Sequence, residues 1–483
     1  GSAGWPLNVV TLPDGRPVWG GTYFRKNDWI NALEQIQKIY EEEPEELMAY
    51  ANKLEEGIKS MDLIHLNTDT VDLKNFDTEE ITQKWSRQFD LENGGFKGAP
   101  KFMMPNNLEF LLRNSFETNN EKNRDYVLLT LDKMAFGGLY DQIGGGFARY
   151  STDEKWHVPH FEKMLYDNAQ LVSLYSNAYL ITKNPFYKGV VTETLDFVEA
   201  EMTNSEGGFY SSLDADSLDA QGKLEEGAFY VFTSEELREQ LGDDFNIFQE
   251  YYNINEYGFW EIGNYVLIRK KTDAEIEKEF GLTHEAFQLK KKSWKNKLLA
   301  HRNKREKPRL DDKSLTSWNA MMLNGYVDAY KTFNEEKYLV AAVKNARFIS
   351  EKQLGENGRL FHNYKNGKSS INGFLEDYAF TIDAFINLYQ ITLEENWLNL
   401  SKKMADYVID HFFDSEKNMF YFTSKEDPAI VTRNFEYRDN VIPASNSVMA
   451  NNLFVLSKYF ENTGFEAISR QMLKNVSTEI MQY

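Results

Sequence analysis

The chain has 483 residues, 42% of them hydrophobic and 14% aromatic, which is more than one ordinary core can absorb. Its 75 acidic and 54 basic residues give a formal net charge of −21, which disfavours nucleic acid and anionic membranes as partners because both need basic stripes. Cysteine is absent, so disulfides, thiolate metal sites and thiol redox chemistry are excluded for these residues.

Residues Gly1 to Pro6 have neither a charged nor an apolar leader region, so no signal peptide is expected. Leu7–Leu12 and Pro17–Phe24 read as two short strands around the turn Pro13-Asp14-Gly15. Trp5-Pro6 is a candidate cis peptide. Residues 27–60 follow as helix, with Ile30, Leu33, Ile36 and Tyr40 at helical spacing and Glu41 to Pro44 as a break. This strand pair and helix resemble the back half of a small α/β domain, as if the chain began in mid-domain. Residues 1–65 are assigned to that lobe and its linker helix.

From about residue 75 the pattern becomes long amphipathic helices joined by Gly- and aromatic-rich loops. Tyr179…Phe186-Tyr187…Gly207-Gly208-Phe209-Tyr210 has counterparts at Tyr330…Tyr338…Gly358-Arg359-Leu360-Phe361 and Tyr389…Trp397…Met419-Phe420-Tyr421. Phe116…Tyr126…Gly137-Gly138-Leu139-Tyr140 is a looser copy, and another begins at Phe460…Phe465. Repeated helical hairpins must bury their faces on neighbours. Closing five or six in a ring gives an α/α toroid over 66–483, and an open solenoid is the alternative. A segment at 211–310 interrupts the repeat, with strand-like pieces at 227–233 and 265–268. Its Lys/Arg-rich helix at 285–307 reads as a solvated face.

The densest chemistry is in Trp156-His157-Val158-Pro159-His160-Phe161-Glu162, following the glycine-rich loop 137–150. Pro159 suits the turn before a helix, with Phe161, Leu165 and Ala169 then on one face. That reading puts His160 near a helix N-terminus and Glu162 in the first turn, where the dipole favours a carboxylate. Of the seven histidines only His157 and His160 lie close together, no HExxH motif occurs, and no metal or cofactor is expected.

Several blocks carry a resemblance. They include Gly4-Trp5-Pro6-Leu7-Asn8-Val9, Gly20-Gly21-Thr22-Tyr23-Phe24, Gly94-Gly95-Phe96-Lys97-Gly98-Ala99-Pro100-Lys101-Phe102 and Gly208 to Ser217. Asp311 to Asn319, Phe374 to Ala379 and Ser445-Asn446-Ser447 continue them in order. Together with the 156–170 stretch they resemble the thioredoxin-domain-containing family that includes spermatogenesis-associated protein 20. The resemblance implies a thioredoxin-like lobe followed by a six-hairpin (α/α)6 domain similar to that of sugar epimerases and some glycosidases. It implies a cysteine motif ahead of the Gly-Trp-Pro block and a last toroid helix, both outside this sequence, and no settled activity.

Candidate catalytic groups follow from chemistry that can run near neutral pH. His157 and His160 are potential acid/base groups among Arg149, Glu162 and Asp167. Asp214 and Asp216 share one side of an extended segment, and paired carboxylates can run glycoside hydrolysis. Asp312 precedes a helix carrying Trp318 and Asn319, Glu376 and Asp377 open the next with Tyr378, and Asn446 opens another. In a ring these helix starts converge on one mouth, lined by Tyr150, Trp156, Trp318 and Tyr378 as platforms for a sugar. His157, His160, Asp216, Asp312, Glu376 and Asp377 are therefore expected around one cavity.

The leading reading is a carbohydrate-directed protein, a sugar isomerase or epimerase using His160 and a partner carboxylate. A glycoside hydrolase and a non-catalytic thioredoxin-linked binding or chaperone-like protein are the alternatives. The expected partner is a small carbohydrate, without nucleic acid or membrane, and the expected compartment is the cytoplasm.

Overall fold

The computed structural model describes residues 7–61, 64–69, 77–428 and 432–480. The Trp5-Pro6 expectation lies outside the described residues; Ala99-Pro100 is cis.

At the N-terminus β1 (Asn8–Thr11) and β2 (Pro17–Gly21) form an antiparallel hairpin, followed by α1 (Lys26–Glu42) and α2 (Pro44–Met61). The helix break falls at Glu43-Pro44, because proline cannot continue a helix but suits its first turn. This lobe has a small core of its own, made of Leu12, Val18, Leu47 and Ala51.

The rest is a mainly α toroid. In chain order come α3 (Thr78–Trp85), α4 (Pro105–Thr118), α5 (Glu121–Phe136), α6 (Leu165–Thr182) and α7 (Pro185–Glu201). The inserted segment holds α8 (Ser234–Leu241), α9 (Phe245–Tyr251), α10 (Asp273–Phe280) and α11 (His284–Arg302). The ring resumes with α12 (Thr316–Phe333), α13 (Glu336–Phe348), α14 (Leu375–Thr392), α15 (Glu395–Phe412), α16 (Ser445–Tyr459) and α17 (Thr463–Ile480). Helices α4, α6, α12, α14 and α16 pack side by side as an inner layer, and each lies against the helix that follows it outside. Inner helices are buried on most faces: α14 alone buries Leu375, Tyr378, Phe380, Ile382, Phe385 and Leu388. Such a helix is stable only with neighbours on all sides, which the ring supplies.

One corner precedes each inner helix. Bridges Phe89–Phe96, Tyr140–Phe147, Thr203–Phe209 and Leu354–Leu360, and the pair Phe413-Asp414 with Met419-Phe420, close five such loops. The first two share a buried lysine lock. Lys101 Nζ donates to Asp90 (2.7 Å) and to the Gly94 carbonyl (2.9 Å), and Lys163 Nζ donates to Asp141 (2.9 Å) and the Gly145 carbonyl (2.8 Å). An asparagine early in the inner helix pegs three of the corners. Asn168 brackets the Phe147 peptide groups, Asn319 those of Phe209, and Asn446 those of Phe420. Gly95 has φ +68° and a Cβ there would run into the Trp156 ring, so the corner needs glycine.

The inserted segment builds a second core around Phe232, Leu237, Phe248, Trp294 and Leu298. Arg302 joins it to the ring by pairing with Asp141 at 2.9 Å, and this buried cluster holds the Asp141 carboxyl far below the usual range, the charges of Arg302 and Lys163 outweighing burial. On α11, Lys290 meets Asp244, Lys291 meets Asp273 and Lys295 meets Glu193, while Lys292 and Lys297 are exposed. Among the described residues no helix is long and apolar enough to cross a membrane.

Candidate active site at the mouth of the inner helices

The segment around His160 is strand, not helix. Pro159-His160 pairs with Tyr150-Ser151, and Lys163-Met164 pairs with Ser212-Leu213. The Leu165 N–H then donates to the Ser211 carbonyl, so α6 starts at Leu165. The apolar spacing of Phe161, Leu165 and Ala169 suggested an earlier start, but cross-strand hydrogen bonds hold that backbone extended. His160 and Glu162 therefore owe nothing to a helix dipole.

What fixes His160 is a carboxylate from the inserted segment. Its Nδ1–H donates to Glu226 Oε1 at 2.7 Å, its ring stacks on Tyr150 at 5.1 Å between centroids, and Nε2 lies 3.7 Å from Glu162. The Glu226 hydrogen bond raises the His160 pKa against the opposing effect of burial. Asp216, paired across a hairpin with Glu226, has its carboxyl raised by burial and then by the charges of Asp214 and Glu226. Arg149 is 3.0 Å from Glu162 and interacts with Tyr166. Asp167 is buried beside them, with one carboxyl oxygen lacking a hydrogen-bond partner, and burial pushes its pKa well up.

A second cluster lies at the start of α14. Asp377 accepts from the Ser317 N–H (3.0 Å) and the Phe374 N–H (2.8 Å), and His362 Nδ1 stands 3.0 Å from it. Glu376 Oε1 is 3.5 Å from the Ser317 hydroxyl. Burial, with the charges of Asp377 and Glu436, pushes the Glu376 carboxyl up to about 8. Burial opposes a charged His362, but the hydrogen bond and charge of Asp377 outweigh it and raise that pKa too. The two clusters meet through Tyr166, whose ring packs edge-on against Trp318 at 4.9 Å, one residue from Ser317.

Ligand atoms of His362, Glu376 and Asp377 all lie within 4.8 Å of one another, close enough to hold a cation. Both Asp377 oxygens already accept backbone N–H groups, however, so the set is better prepared for moving a proton than for coordinating a metal.

Seven of the expected residues sit elsewhere. Trp156 is fully buried beneath Lys101, and its indole N–H donates to the Asn93 carbonyl at 2.8 Å. His157 packs toward Gly258 of the inserted segment, and burial lowers its pKa. Asp312 is half exposed and pairs with Lys365 at 2.6 Å. Asn319 and Asn446 are corner pegs. Tyr378, wholly buried, accepts the Leu360 N–H on its hydroxyl at 2.9 Å, serving one of the two corners without an asparagine peg. Asp214 faces outward against Arg309 at 3.2 Å. The remaining expected residues fall in two clusters, His160, Glu162, Asp216, Arg149 and Tyr150 in one and Trp318, Glu376 and Asp377 in the other, linked by the Tyr166–Trp318 contact. His362, Glu226, Tyr166 and Glu436 were not singled out. The available signal for His362 was its place two residues past the repeated corner position Leu360.

Residues 1–59 match the family model Thioredox_DsbH, described as "Protein of unknown function, DUF255". Over 99% of its length the chain is 31% identical to uncharacterized protein B0495.5 of Caenorhabditis elegans, covering 70% of that protein. Against spermatogenesis-associated protein 20 of Homo sapiens identity is 31%, over 94% of this chain and 63% of the human one. The chain belongs to the spermatogenesis-associated protein 20 family. It spans about two-thirds of the length of these relatives. Among solved structures, unsaturated glucuronyl hydrolase from Bacillus sp. GL1 superposes with a TM-score of 0.45 at 10% identity, over 83% of this chain and 81% of that one.

Proposed function

We propose that this family member acts on a small carbohydrate by proton transfer, as a sugar isomerase or epimerase. The observation that carries the reading is the cluster of Glu376, Asp377 and His362: a carboxyl that keeps its proton up to about pH 8, within 4.8 Å of a histidine whose ring a buried carboxylate orients. Acid/base work at neutral pH needs one group able to give a proton and another able to take it, both titrating near the working pH. The pair titrates jointly, so its two pKa values belong to the cluster. One member removes the proton beside the substrate carbonyl while the other protonates the oxygen, leaving an enediol. Returning the proton to the same carbon from the other face gives an epimer, and returning it to the neighbouring carbon gives an isomer. Around the cluster, Arg149, Tyr166 and Ser317 offer donors and acceptors, and Trp318 and Tyr150 offer ring faces, a lining suited to a neutral polyhydroxylated ligand.

The test is solvent exchange. Aldoses, ketoses and disaccharides are incubated with the protein in D₂O, and deuterium beside the carbonyl is read by NMR. Incorporation is expected with the wild type and should fall by about 10²–10⁴ in Glu376→Gln. No exchange with any sugar refutes the reading. Hydrolysis of a glycoside in the same reactions would instead favour the hydrolase alternative, for which the charge of Glu436 on Glu376 supplies a second carboxylate.

A further inference from the structure

The axial faces of the inner helices carry a second polar level below the mouth. Stepping down from Tyr166, Ser317 and Glu376 by one turn reaches Gln170, Met321 and Phe380, and further turns reach Asn177, Asp328 and Asp383. Seven residues of helix separate Glu376 from Asp383, about 10 Å along the axis. Of these, Gln170, Met321, Phe380, Asp328 and Asp383 line a cavity of about 460 Å³ to which all five inner helices contribute.

Three carboxylates face it from three helices. Glu109 accepts from Asn177 at 3.0 Å through one oxygen, while its other oxygen is buried without a hydrogen-bond partner. Asp383 accepts from Asn324 at 2.6 Å, and Asn387 in turn donates to Asn324 at 3.1 Å. Asp328 bonds the Ser173 hydroxyl and lies 3.8 Å from Lys331. The charged groups around the cavity are Glu109 and Arg113 on α4, Asp328 and Lys331 on α12, Asp383 on α14, and Asp439 in the loop before α16, while α6 and α16 line it with neutral side chains. Four acids thus face two bases. Burial raises Glu109 to about 7 and Asp383 to about 6, and the charge of Asp328 adds to both. Their anions are under-compensated at neutral pH.

A single metal ion does not answer this arrangement. Among the described residues, the one group of three His or carboxylate ligand atoms lying within 4.8 Å of each other is His362, Glu376 and Asp377, so these three acids are too far apart to share an ion. Phe110, Met321 and Phe380 add apolar wall between the carboxylates. We propose that the axial cavity binds a small organic amine, its protonated nitrogen drawn by the carboxylates of Glu109, Asp328 and Asp383 that line it and its body against the Phe110 and Phe380 rings. The site is independent of the proton-transfer reading of the mouth.

Isothermal titration calorimetry on the full chain tests this with four probes: spermidine, N-methylglucamine, its neutral counterpart sorbitol, and Mg²⁺. At least one amine should saturate a single site at about pH 8 and lose tenfold or more of its affinity at about pH 5, where the carboxyls are protonated. Spermidine alone would mean that charge and an apolar body suffice; N-methylglucamine alone would mean that hydroxyls are read as well. Glu109→Gln and Asp383→Asn should each weaken the amine at least tenfold while melting at or above the wild-type temperature, since each removes an under-compensated acid. Should one variant not fold, the other and the pH dependence decide. The proposal fails if neither amine saturates, if folded variants bind like the wild type, if sorbitol binds as tightly as its amine, or if Mg²⁺ displaces the amine at equal concentration.

Discussion

Glu376→Gln should stabilise the protein, and more so as pH rises. A carboxyl whose folded pKa lies above its unfolded value gives its full stability below the unfolded pKa and loses it as pH climbs through the folded one. For Glu376 that window runs from its ordinary 4.5 to about 8. Complete ionisation across it is worth about 5 kcal/mol. His362, which gains a proton more readily beside an ionised Glu376, offsets part of this, leaving about 2–3 kcal/mol. Glutamine has nearly the volume of a protonated glutamate and keeps an acceptor for the Ser317 hydroxyl, so at about pH 5 the two proteins should differ by less than about 1 kcal/mol. Urea denaturation of both at about pH 5 and about pH 8.5 reads the difference directly. A gap that does not change with pH would refute the assignment of Glu376 as a carboxyl protonated near neutrality. So would a variant less stable than wild type at the higher pH.

Asn168→Ala should cost about 3 kcal/mol, because the Phe147 N–H and C=O would lose their partner inside the ring; a thermal or urea melt checks it, and Asn319→Ala should behave alike. Asp141→Asn should destabilise by about 3–5 kcal/mol, since Lys163 and Arg302 would keep their buried charge without its counter-ion, and a Lys163→Met change on top should recover part of that loss. His160→Gln should leave the melting temperature within a few degrees, as the ring is only half buried and its bonded partner is one carboxylate. If His160 shares in proton transfer, the same variant should lose deuterium exchange, whereas full exchange with a lowered melting point would make the residue structural.

Much of the architecture was legible because repetition and periodicity are properties of the chain itself. The corners at Phe209, Leu360-Phe361 and Phe420 and the apolar inner helices follow from a repeated pattern. The site was less legible for the same reason. Asn319, Asn446 and Tyr378 look functional because polar and aromatic groups at helix starts are unusual, yet they are pegs for the repeated corner. Trp156 looked like a sugar platform and is a wedge under the glycine corner. What no local pattern could supply was the partner of each histidine. Glu226 is 66 residues from His160, and His362 reaches Asp377 from a strand whose sequence carries no acid/base motif.

The corrections share a physical basis that also separates structural from chemical groups in this ring. The pegs Asn168 and Asn446 have every side-chain atom matched, each satisfying one peptide N–H and two carbonyls. Groups on the axial face are left incompletely matched, as with the free oxygens of Glu109 and Asp167 and the raised pKa of Glu376. Unmatched polarity inside a protein costs stability, so a fold keeps it only where neighbouring elements enforce the geometry. The inner helices do so here, because their other faces are committed to the core and fix which residues turn toward the axis. A substitution at a peg should therefore lower stability, and one at an axial carboxylate should raise it. This opposition of signs is a stricter test of the axial assignment than activity alone, since it holds whatever ligand the mouth receives.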